Sequence, residues 1–334
     1  MNEGCLLIGD IGGTNARFAL ADSRAPGFSR QKTFACADFD TADLALRAYV
    51  EELGSSEPDV ICLAAAGPVI DNVVRLTNNN WTIDAAEIAS KFSNTSVKLL
   101  NDFEAIAFSI PYLKEGDSVP LGLPETRTVD TQRYAFGIVG PGTGLGYAAL
   151  YKREGILVPI TGEGGHMSFA PESQVQLDVL TVLMEKYDRV SYERLVSGPG
   201  IENIYWALTR IHGEKQTQLS ALEIFRRAEK NGDKRADEAV QLFFELLGQV
   251  AGNVAISMST FDGVYIAGGI AKRYPTILAN SRFRSGFENK GQHRALMEKI
   301  PTRLITHDEP GLLGAAHCAF ELSNGAGRRG ATRQ

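Results

Sequence analysis

Basic charge is in short supply in this chain of 334 residues: 34 Lys and Arg stand against 40 Asp and Glu, a formal net charge of −6. That balance gives no electrostatic footprint for nucleic acid, whose binding rests on neutralising phosphates. Cysteine is equally scarce. Cys5, Cys36, Cys62 and Cys318 are isolated, so no C-x-x-C zinc or thioredoxin-type pair is present. Cys5 and Cys62 fall in apolar runs and read as buried free thiols. No uninterrupted apolar run reaches the 18 residues that a membrane span needs, and no charged-then-apolar leader opens the chain. A reducing cytoplasm and a small-molecule partner, with neither nucleic acid nor membrane, are the expectation.

Glycine, by contrast, is plentiful and clustered. "GDIGGTNARFALAD" (9–22) follows the apolar Leu6–Ile8, and "GPGTGLG" (140–146) follows "YAFGIV". Each is an apolar run, a Gly/Thr turn and a second apolar run. The first is not a dinucleotide fingerprint, because G-x-x-G-G replaces G-x-G-x-x-G and "RFALAD" is too β-like to open a helix. Nor is it a P-loop, since no Lys follows its glycines. What remains is a β-hairpin whose turn amides face an anion, with Gly12 and Gly13 allowing the close approach and Thr14 adding a hydroxyl. A plain tight turn explains one such motif equally well. Two of the same design point to a duplicated fold holding a nucleotide's phosphates. "IAGGI" (266–270) adds a side-chain-free backbone against which a flat adenine ring could lie. Asp10, sharing the phosphate's sign, suits a water on Mg²⁺ better than the anion itself.

Elsewhere strands and helices alternate, as in a largely parallel sheet with its ligands at the carboxyl ends of the strands. Residues 42–53 have helical spacing, 59–69 and 96–103 read as buried strands, and a long apolar-striped helix covers about 235–260. A strand over 263–271 ends in Gly-Gly, and the last helix spans roughly 311–322. The stretch 114–133 lacks helical periodicity and marks a domain boundary, and the small, basic tail after 322 reads as a disordered end.

Two further segments carry chemistry. Asp102 follows an apolar strand in "LLNDFEA", where it is either the N-cap of the next helix or a base for a hydroxyl. Asn101 beside it either offers a hydroxyl an acceptor and a donor or closes the turn. "GEGGHMSF" sets Glu163 and His166 in a glycine frame that makes a close-packed loop, and no second His completes a zinc motif.

In order, "GDIGGTNARF", "AAAGPV", "TNNNW", "LLNDFEAIA", "GPGTGLG", "GEGGHMSFAP", "ERLVSGPGIENIY", "FDGVYIAGGI" and "HDEPGLLGAA" together resemble the bacterial glucokinases of the hexokinase–actin–heat-shock-ATPase superfamily, in the branch without a zinc motif. The resemblance implies an α/β, two-domain actin-like ATPase (ribonuclease H-like) fold with a duplicated mixed sheet and an active-site cleft between domains. It implies a small domain of 1–112 plus 307–334, a large domain of 113–306, and closure of one against the other on sugar binding. The implied reaction is ATP-dependent phosphorylation of D-glucose at its 6-hydroxyl, feeding glycolysis, with Mg²⁺ and as a homodimer. Asp102 becomes the base. Asn101, Asp102, Glu163, His166 and Glu193 become sugar contacts, Glu193 by resemblance alone. Gly9, Asp10, Ile11, Gly12, Gly13, Thr14, Asn15, Gly142, Thr143, Gly144, Gly268 and Gly269 become the ATP contacts, with no direct metal ligand. The stretch 112–133 and the tail match no pattern of the family.

Three rivals share some of these features. A nucleotide-operated clamp would bind ATP without a sugar acceptor, and the carboxylate-bearing "GEGGH" loop argues against it. A sugar sensor would add a basic DNA-binding arm before the first strand, where only Met1–Gly4 precede Cys5. An acetate-type kinase would present basic residues to its substrate, whereas this pocket is acidic.

Overall fold

The computed structural model describes residues 4–54, 57–76, 79–92, 95–122, 129–215, 218–230 and 232–331, with backbone alone for 325–331. Thr77 and Asn78 of "TNNNW", and 123–128 of the boundary stretch, lie outside the described residues. The chain divides into two units, Met1–Glu115 with His307–Gln334, and Gly116–Thr306.

The first unit is built on five strands. β1 (Leu6–Ile11), β2 (Asn15–Ala21), β3 (Phe28–Ala35), β4 (Val60–Ala65) and β7 (Ser96–Asn101) line up as β3-β2-β1-β4-β7, with β5 (Val73–Arg75) and β6 (Thr82–Asp84) as a separate small ribbon. β1 pairs antiparallel with β2 and parallel with β4, which pairs parallel with β7. Alternation along β1 and β4 divides the apolar residues between two faces. Leu7, Ile11, Ile61 and Leu63 join the core under α1 (Ala42–Leu53) and α2 (Ala85–Ser90). Leu6, Ile8, Val60 and Cys62 join the core under the C-terminal helix and α3 (Asp102–Ser109).

The C-terminal helix runs Pro310–Ala331, past the expected end near 322 and through most of the tail read as disordered. No proline after Pro310 stops it, and periodicity reports only where an apolar face ends, not where a backbone ladder does. All four cysteines are free; Cys36 and Cys62 are buried, whereas Cys5 is partly exposed and so only half fits its expected burial.

The second unit repeats the plan. β8 (Ser118–Pro120), β9 (Tyr134–Pro141), β10 (Leu145–Arg153), β11 (Ile156–Gly162), β12 (Gly263–Ile266) and β13 (Thr302–Ile305) lie in the order β11-β10-β9-β12-β13-β8. Again a strand pairs antiparallel with its successor and parallel with a later one, β9 with β10 and β12. β8 takes up part of the stretch 114–133 as an edge strand on β13. Helices α4 (Gln174–Met184), α5 (Gly198–Ile211), α6 (Ala221–Glu229) and α7 (Lys234–Ser257) bury one face of this sheet. α7 is apolar enough to pass for a membrane span by length and composition, but 78% of its apolar window is buried within the unit, as befits a core helix. Gly248 and Gly252 let it approach the short helix Phe283–Glu288, whose Phe283 and Phe287 carbonyls occupy the space of the missing Cβ atoms.

Candidate active site

The first hairpin turns through Gly12, Gly13, Thr14 and Asn15, with the Gly12 amide donating to the Asn15 carbonyl at 2.9 Å. Neither Gly12 nor Gly13 has a positive φ, so a left-handed turn is not what the glycines supply. Gly12 would tolerate a Cβ, whose nearest neighbour is the Asn15 carbonyl at 3.7 Å. Two residues named beside them serve the strand. Gly9 points its missing Cβ at Leu63 and Phe18, 2.7 and 2.9 Å away, and Ile11 is fully buried.

Asp10 occupies the other face of β1. The antiparallel register sets it opposite Arg17, whose guanidinium lies 3.9 Å from its carboxylate and 3.2 Å from Glu309. Gly311 leaves room there, since a Cβ would sit 3.0 Å from Asp10 Oδ2. Burial raises the Asp10 carboxyl to about 6; Arg17 opposes the rise, and Glu309 adds to it. Arg17 and Glu309 lie within the recognised motifs, but nothing in their spacing marks them. The strand register and the approach of the C-terminal helix bring them together.

At the carboxyl end of β7 the cap belongs to Asn101, not to Asp102. Asn101 Oδ1 accepts the Phe103 and Glu104 amides at 2.9 and 3.3 Å, and Glu104 returns a bond to the Asn101 amide, a capping box. Asn101 Nδ2 also donates to the Gly67 carbonyl at 2.9 Å, and its second amide hydrogen has no acceptor among the described residues. Asp102 is thus the first residue inside α3, its carboxylate accepting the Phe103 amide at 3.0 Å.

In the second unit the turn is Gly142, Thr143 and Gly144, with Gly142 N donating to Gly144 O at 2.8 Å. Glu193 packs on it. Its Oε2 accepts the Leu145 amide at 2.9 Å and occupies the space beside Gly144, where a Cβ would sit 2.6 Å away. Its Oε1 lies 3.9 Å from His166 Nε2. Sequence spacing makes Glu193 an ordinary polar residue; in the fold it joins the hairpin to the "GEGGH" loop. That loop is pressed onto β10 because Gly164 and Gly165 leave room for the Tyr147 ring and the Leu145 carbonyl. Glu163 and His166 consequently stand outward, with no hydrogen bond or ion pair to the Glu163 carboxylate among the described residues. Arg189 holds the loop's far end by donating to the His166 carbonyl at 2.7 Å. After β12, Gly268 takes φ +90°, its Cβ position 2.4 Å from the Pro141 carbonyl, whereas Gly269 faces open space.

Among the described residues no group of three or more His, Cys, Asp or Glu could hold a metal ion on its own. A lone carboxylate such as Asp10 suits Mg²⁺, which retains much of its water and binds through substrate phosphates.

The family model for glucokinase matches residues 7–322. A glucokinase of Nitrobacter hamburgensis is 38% identical over 316 residues, covering 94% of this chain and 97% of its own length. The crystal structure of a glucokinase from an Antarctic psychrotroph superposes with TM-score 0.85 at 33% identity, over 95% of this chain and 98% of the other. A glucokinase of Balamuthia mandrillaris, solved in complex with glucose, shares the fold at 23% identity and TM-score 0.77, over 95% and 93%.

Proposed function

The chain belongs to the glucokinase family, with its actin-like two-domain fold, and phosphorylates D-glucose from ATP to glucose 6-phosphate; from that premise we propose how its residues divide the work. Asp102 is the general base, orienting the 6-hydroxyl and accepting its proton as the new O–P bond forms. The observation that carries this is the capping box: Asn101 caps α3, so the carboxylate beside it is not needed to cap the helix. The remaining Asn101 amide hydrogen, Glu163, His166 and Glu193 bind ring hydroxyls. A site that hydrogen-bonds several hydroxyls rejects an analogue lacking one by about 10⁴–10⁵-fold.

The turns at 12–15 and 142–144 hold the phosphates, the first through its Gly13 and Thr14 amides, and the open backbone at Gly269 faces the base. Asp10 would hold Mg²⁺ through water, and that ion, when bound, neutralises phosphate charge during transfer. The four free thiols suit a reducing cytoplasm, and the same reading includes a homodimer.

Asp102→Asn tests the base. Steady-state kinetics, with sugar phosphate and ADP both followed, should show kcat down by about 10²–10⁴-fold and glucose binding retained. ADP release without sugar phosphate by the wild type would instead favour the nucleotide clamp. Unchanged kcat in the variant would remove Asp102 from the mechanism.

A further inference from the structure

The first hairpin is braced from one side. Cys36, buried at the start of the turn after β3, donates its backbone N–H to the Thr14 carbonyl at 2.8 Å and its thiol to the Gly12 carbonyl at 3.5 Å. Asn79 donates Nδ2 to the Gly13 carbonyl at 3.5 Å. Asn79 is itself held, its Oδ1 accepting the amide of the buried Trp81 at 2.8 Å. Three successive carbonyls of the turn are therefore drawn toward the same two residues.

In a trans peptide the N–H points opposite to the C=O of its plane. Fixing the Gly12 carbonyl aims the Gly13 N–H the other way, and fixing the Gly13 carbonyl does the same for the Thr14 N–H. Neither of these amides donates to any acceptor among the described residues, although the adjoining Gly12 amide does. Thr14 is exposed. Two adjacent unpaired donors held in one direction form a small anion-binding concavity, whose strength depends on the donors not having to be reoriented when the anion arrives.

Resting on the reading that this turn holds nucleotide phosphate, we propose that Cys36 and Asn79 are positioning residues, which aim the Gly13 and Thr14 amides at that phosphate. Neither touches substrate. Each acts through a carbonyl on the far side of the peptide plane, so both affect the triphosphate and neither affects the sugar or the adenine.

The test is the kinetics of Cys36→Ala, Asn79→Ala, the double variant and Cys36→Ser, with melting temperatures alongside. Single neutral hydrogen bonds of this kind are worth about a threefold change each, and the pair about tenfold. The double variant should raise KM for ATP about tenfold while KM for glucose and inhibition by adenosine, which lacks phosphates, stay within about twofold. Cys36→Ser keeps a donor and should recover most of the loss seen in Cys36→Ala. Should the double variant fail to fold, the singles carry the test at about threefold each. A lower melting temperature with ATP KM unmoved, or equal rises for ATP and glucose, would overturn the proposal. Gly13→Val separates the two ideas. If it leaves ATP KM unmoved, the turn does not hold phosphate. If it raises ATP KM and the brace variants do not, only the brace is refuted.

Discussion

The two units use one strand plan with differently braced turns. β3-β2-β1-β4-β7 and β11-β10-β9-β12-β13 both place an antiparallel hairpin beside a parallel strand, and both turn through Gly and Thr. The first turn is held at its carbonyls by Cys36 and Asn79, and its strand carries Asp10 beside Arg17 and Glu309. The second is held at an amide and a glycine face by the Glu193 carboxylate, which also reaches His166. Bracing the carbonyls leaves amide donors outward, as an anion needs. Bracing with a carboxylate brings an acceptor to the turn. A duplicated scaffold thus acquires two different surroundings from the residues that contact its turns, not from the turns themselves.

The sharpest contrast within one motif lies between Gly268 and Gly269. A Gly268→Val change forces a side chain into a positive-φ position against the Pro141 carbonyl and should cost about 3 kcal/mol or more, read by urea denaturation. Gly269→Ala meets nothing and should cost less than about 1 kcal/mol. Equal losses would mean that the second unit's turn is not anchored through Gly268.

Gly144→Ala tests whether Glu193 is what differentiates the second hairpin. Its Cβ would displace the carboxylate, so kcat/KM for glucose should fall about tenfold or more, the effect of losing a charge-assisted hydrogen bond. Gly142→Ala meets no neighbour and should leave the melting temperature unchanged. A fall in ATP affinity alone for Gly144→Ala would make the two hairpins equivalent.

The smallest effect concerns Asp10. Its folded-state pKa of about 6 lies above its ordinary value of 3.8, so the native protein binds the proton more tightly than the unfolded chain. Stability is therefore lost as pH rises from about 4 to about 6 and stays lost above that, on the order of 1–2 kcal/mol for this partly exposed group. Asp10→Asn should flatten that part of the pH profile and raise the melting temperature at pH 7.5, while weakening Mg-ATP-dependent turnover. A wild-type profile that rises over the same interval would show that Arg17 outweighs burial.

Local patterns predict the outline well. Residues 42–53 form α1 over the expected span, and both Gly/Thr turns join strands as their flanking apolar runs indicate. Asp102 was legible as a residue at a strand-to-helix turn, but its role was not. Asp and Asn are nearly equal as caps, and only the backbone shows that Asn101 takes that position. Glu193 was legible only through family resemblance, because its partners at 144, 145 and 166 are remote in sequence. Gly9 had the same look as Gly12, yet it is a packing glycine between Leu63 and Phe18.

The positions of the main strands and helices, the two glycine turns and the family follow from the linear chain because periodicity, glycine and apolar runs act over a few residues. Which side chain caps, which glycine packs and which acid meets Arg17 were decided by tertiary structure. Those outcomes depend on strand register and on helices arriving from far along the chain, and short-range propensities carry no information about either.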